Sequence, residues 1–125
     1  MSRSFRTIAS YLPRIAAEQP DALAIVYPDG RDRHGSVRYT HYTYAELDAQ
    51  SDLIAQGLKA VGIGRGVRTV LMVRPSLEFF ALAFALLKSG AVPVMVDPGI
   101  GIGSLKTCLA EVEPKAFIGV PMAHA

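Results

Sequence analysis

The sequence predicts an α/β fold: an N-terminal helix and a β-hairpin leading into a parallel βαβαβ half-sheet. Three observations carry this. Leu77 to Leu87 is apolar all round, the mark of a helix covered on most sides. Gly90 then stops that helix, and Val92 to Val96 is too short and too β-branched for another one. From Val67 onward the order is strand, helix, strand, helix, strand, which implies parallel strands joined by right-handed helical crossovers.

At 125 residues the chain is one domain or part of one. Two units fill it: a hairpin and capped helix over residues 22–62, and the βαβαβ unit over residues 67–120. Half the residues are hydrophobic (50%), an excess that needs burial. The formal net charge is +2 with both signs spread along the chain, unlike the clustered basic face of a nucleic-acid binder. The sole cysteine, Cys108, has no internal disulfide partner, which fits a reducing compartment. No secretory signal is visible, and Lys88 interrupts the most apolar helix well before the roughly 20 residues a membrane span requires. A cytoplasmic protein without a membrane span is expected.

Ile8, Leu12 and Ile15 recur at helical spacing and predict a first short helix. Pro13 is tolerated there only in a first turn or at a bend. Pro20-Asp21 stops it. Leu23 to Tyr27 reads as a strand, Pro28-Asp29-Gly30 as a turn, Arg31 to Ser36 as a polar loop and Val37 to Tyr42 as the return strand. Arg31, Arg33 and His34 can bind an anion, although a solvated loop is the simpler reading. Thr43 and Glu46 form a capping-box pattern. The helix it opens carries Leu47, Ser51, Ile54, Leu58 and Val61 on one stripe and ends at Gly62. Gly62-x-Gly64-x-Gly66 follows a helix and precedes a strand, so it reads as a turn and not as a phosphate loop.

Val67 to Val73 is a strand, and Ser76 is a good N-cap for the apolar helix, with Glu78 suited to its positive end. Asp97-Pro98 turns the chain after the next strand. Gly99-Ile100-Gly101-Ile102-Gly103 then lies between a strand and a helix from about Ser104 to Val112. The dinucleotide pattern fails by one residue, since it needs a third glycine at Ser104. That helix turns Leu105, Cys108, Leu109 and Val112 inward, which makes Cys108 a small buried hydrophobe. Pro114 precedes a last strand, Lys115 to Val120.

The chemical inventory is thin. No His/Cys spacing suits a metal and no G-x-S-x-G elbow presents a serine. His34, His41 and His124 are far apart. Asp29/Asp32 and Glu111/Glu113 read as ordinary loop and helix-end charges, and Met72 and Met95 as strand residues in the core.

Two stretches say more. Tyr42-Thr43-Tyr44-Ala45-Glu46-Leu47 resembles the first core motif of the adenylate-forming (AMP-binding) superfamily, L/Y-T-Y-x-E-L. Leu86 to Pro98 resembles its second, L-K-x-G-A-x-x-V-x-x-D-P, in the right order and at the right separation. The resemblance implies the N-terminal portion of the large domain of an acyl-CoA synthetase-like ligase. Such enzymes activate a carboxylic acid with Mg-ATP to an acyl-adenylate, and most pass the acyl group to coenzyme A or a phosphopantetheine carrier. Adenylation domains of peptide synthetases belong to the same superfamily. Gly99 to Ser104, with Phe117-Ile118-Gly119-Val120-Pro121, is similar to the fatty-acyl ligase relatives of long-chain olefin biosynthesis, which close a β-hydroxy acid to a β-lactone.

The family's lysine-ended phosphate loop, its magnesium glutamate, its ribose aspartate and its catalytic lysine have no counterpart here. No catalytic, cofactor-binding or metal residue is therefore carried over. ATP and Mg belong to the parent enzyme, and the chain alone is expected to be inactive and to self-associate. Two other readings stay open: a non-catalytic module that binds a partner through an open sheet edge, and a nucleotide-binding domain using Gly99 to Gly103.

Overall fold

The computed structural model describes residues 8–119, without the side chains of residues 8 and 9. In chain order the elements are α1 (Ile8–Glu18), β1 (Leu23–Arg31), β2 (Val37–Thr43), α2 (Tyr44–Ala60), β3 (Arg68–Met72), α3 (Leu77–Lys88), β4 (Val92–Met95), α4 (Ile102–Val112) and β5 (Ala116–Gly119). The predicted α/β class and element order hold. β1 and β2 pair antiparallel as a separate two-stranded sheet, while β3 pairs in parallel with both β4 and β5 in the order β4-β3-β5.

That order dictates the layers. The step from β3 to β4 and the step from β4 across to β5 run in opposite directions along the sheet. Crossovers of one hand must then use opposite faces. Side-chain alternation along β3 agrees. Leu71, with Ile118 of β5, packs on Leu58 of α2 and on Ala83 and Leu86 of α3. Val70 and Met72, with Phe117, pack on Leu105, Cys108 and Leu109 of α4. Burying each such aliphatic side chain contributes about 1.5–3 kcal/mol. A third cluster joins Leu12 of α1, Leu47 of α2 and Ala81 of α3, with Ile25 and Tyr42 of the hairpin against it. Helix α3 thus meets neighbours all round, as its composition predicts.

Both α2 and α3 end in the same way. Gly62 donates to Lys59 O at 3.1 Å and Ile63 to Leu58 O at 2.9 Å, while Gly90 donates to Leu87 O at 3.1 Å and Ala91 to Leu86 O at 3.1 Å. These are paired Schellman motifs, each closed by an apolar contact, and they need glycine at φ 86° and 77°. The second has a further constraint: a Cβ on Gly90 would sit 3.3 Å from Arg65 Cα. There the chain end of α3 is pinned to the entry of β3, because Gly66 donates to Gly90 O at 2.9 Å and Val92 to Val67 O at 2.9 Å.

Several expectations need correction. Pro28-Asp29-Gly30 does not turn the chain. β1 continues to Arg31, and one extra residue between Pro28 and Arg31 forms a bulge. The turn lies at Asp32–Ser36, where Asp32 Oδ1 accepts from His34 N at 2.8 Å and Ser36 N at 3.0 Å. Pro13 sits inside α1 beyond its first turn. Val61 caps α2 and is exposed instead of joining the stripe. Met95 is 55% exposed, because β4 is an edge of the described sheet, whereas Met72 on the central strand is buried as expected. The same edge position accommodates Pro93, which has no N–H to donate. Helix α4 starts at Ile102, inside the glycine run. The expected end of the last strand, Val120, lies outside the described residues.

Candidate functional site

In parallel α/β sheets ligands bind outside the carboxyl ends of the strands. Here that edge is built by the loops after β3 and β4. An apolar cleft of about 310 Å³ opens between them, lined by Val73, Pro75, Phe79, Met95, Val96 and Pro98. Asp97 borders it, with its carboxylate committed locally: Oδ1 accepts from Gly99 N at 2.8 Å, and Ile100 N donates to Asp97 O at 2.9 Å. Asp97-Pro98 therefore shapes the turn as its sequence predicts.

A second cleft of about 350 Å³ separates the hairpin from the start of α3 and includes Tyr27, Thr40, Arg74, Ser76 and Glu78. Ser76 Oγ accepts from Phe79 N at 3.2 Å and fulfils its predicted capping role. Burial pushes the nearby Tyr42 phenol up from its ordinary pKa, and the negative charges of Glu78 and Glu46 add to the effect. Thr43 and Glu46 form the full capping box: Glu46 N donates to Thr43 Oγ1 at 3.2 Å and Thr43 N to Glu46 Oε1 at 2.9 Å. The Thr43 N–H lowers the Glu46 carboxyl pKa, and the charge of His41 assists.

Sequence reasoning missed the strongest polar contact. Lys88 Nζ, 11% exposed, reaches Asp48 Oδ1 at 2.6 Å, Asp52 Oδ1 at 2.7 Å and Asp48 O at 3.1 Å. The signal was available. Asp48 and Asp52 stand four residues apart, on one face of α2, and a lysine ending an all-apolar helix needs a counter-charge.

The other candidates stay dispersed. Arg31, Arg33 and His34 lie exposed at the hairpin turn, and Gly62, Gly64 and Gly66 form the predicted turn between α2 and β3. Cys108 packs beside Leu105 and Leu109 of α4 but is half-buried, not buried as expected. Gly99, Gly101 and Gly103 do not form a phosphate cradle in positive-φ geometry: Gly101 caps α4 without a side chain, and Gly103 is within the helix. His124 lies outside the described residues. Among those residues no group of three His, Cys, Asp or Glu could hold a metal ion. Among the described residues the geometry gives a strand-edge scaffold built on β3, β4 and the loops that follow them.

The family model described as "AMP-binding enzyme" matches residues 12–125. The chain is 61% identical over 118 residues to an olefin beta-lactone synthetase of Xanthomonas campestris pv. campestris, covering 94% of this chain and 21% of that protein. It is 56% identical over 119 residues to an olefin beta-lactone synthetase of Stenotrophomonas maltophilia, covering 94% and 22%. Among solved structures, the Klebsiella oxytoca NpsA N-terminal subdomain superposes with a TM-score of 0.80 at 21% identity, over 92% of this chain and 28% of that one. That likeness concerns the fold alone. The chain spans about a fifth of the length of the curated relatives it matches.

Proposed function

The chain belongs to the AMP-binding enzyme family, and we propose that it serves an enzyme that activates a β-hydroxy fatty acid with ATP and closes it to a β-lactone. In the first step a carboxylate oxygen attacks the α-phosphorus of ATP and pyrophosphate leaves. In the second, the β-hydroxyl oxygen attacks the acyl carbon, AMP leaves and the hydroxyl proton passes to solvent. The chain's own part is structural: it carries the N-terminal scaffold of the large domain and has no adenylating activity alone. A cytoplasmic location fits the lone cysteine, and no described helix is long and apolar enough to cross a membrane.

The observation that carries this reading is the identity of 61% and 56% to two olefin beta-lactone synthetases across nearly the whole chain. The test is a chimera in which this chain replaces the matching 118 residues of the Xanthomonas enzyme. The folded chimera should convert a 3-hydroxy fatty acid and ATP to β-lactone, AMP and pyrophosphate, while the chain alone releases no AMP. A folded chimera that yields only acyl thioester, when given coenzyme A or a phosphopantetheine carrier, would replace lactone closure with thiol transfer.

A further inference from the structure

We draw no further inference here: the strongest candidate, the apolar cleft between the loops after β3 and β4 lined by Val73, Pro75, Phe79 and Met95, belongs to the candidate site already described, and nothing in the structure shows what covers it.

Discussion

Lys88 Nζ lies 2.6 Å from Asp48 Oδ1, and this contact ties together the two stretches that resemble the family motifs. The first stretch opens α2 through its capping box, and the second closes α3 and leads through β4 to the Asp97 turn. Asp48 sits one turn into α2, and Lys88 sits in the last turn of α3. Lys88→Met should therefore destabilise the fold by about 1–3 kcal/mol, below the cost for a fully buried pair because Asp52 is 58% exposed. Asp52→Asn should cost about 1 kcal/mol or less. Urea unfolding of the three proteins ranks these effects, and equal stabilities would remove Lys88 from the account.

The capping box makes stability depend on acid. Glu46 has its carboxyl pKa lowered in the fold, so its contribution is present above the ordinary carboxylate pKa and is lost as pH falls through the folded value. Glu46→Gln should flatten the stability profile on that acid limb. Thr43→Ala should cost about 1 kcal/mol at neutral pH. Tyr42 works at the other end of the scale: its raised pKa makes stability fall as pH rises through the alkaline range. Thermal melts from acid to alkaline pH read both limbs.

Gly62 and Gly90 share a left-handed backbone but differ in surroundings. A Cβ at Gly62 meets open space, whereas one at Gly90 meets Arg65 Cα. Gly62→Ala should cost about 1–2 kcal/mol, the left-handed penalty alone. Gly90→Ala should cost more, since the turn at Arg65 before β3 must also give. Denaturant midpoints that reverse this order would show that the α3–β3 junction is slack.

The β4 edge should promote self-association, because Val92 and Met95 expose apolar side chains beside unpaired backbone. Light scattering is expected to detect concentration-dependent oligomers that Met95→Lys reduces. A monomer at all concentrations would count against an adhesive edge.

Local pattern made most of the fold legible. The apolar run of Val67 to Val73, the Thr43/Glu46 spacing and the two helix-ending glycines each have local causes. Readings failed where tertiary placement decides. Pro28-Asp29-Gly30 has turn chemistry, yet strand pairing absorbs it as a bulge. Met95 looks like core until β4 is found at an edge. The Lys88 bridge spans forty residues: the Asp48/Asp52 spacing on α2 asks for a cation, but only the packing of α3 on α2 supplies which one. The candidate site was legible mainly as scaffold: the Asp97 turn and the Ser76 cap lie where predicted, while the clefts beside them depend on packing.

We propose that both motif stretches hold the scaffold and take no part in the chemistry. The most direct test is Lys88→Met in the chimera with the Xanthomonas enzyme, measuring the melting temperature and the kcat of AMP release together. The prediction is a lower melting temperature with kcat of the folded enzyme unchanged within about threefold, a shift of less than 1 kcal/mol in the barrier. A fall of about a hundredfold in kcat at an unchanged melting temperature would place Lys88 in the chemistry and contradict the claim.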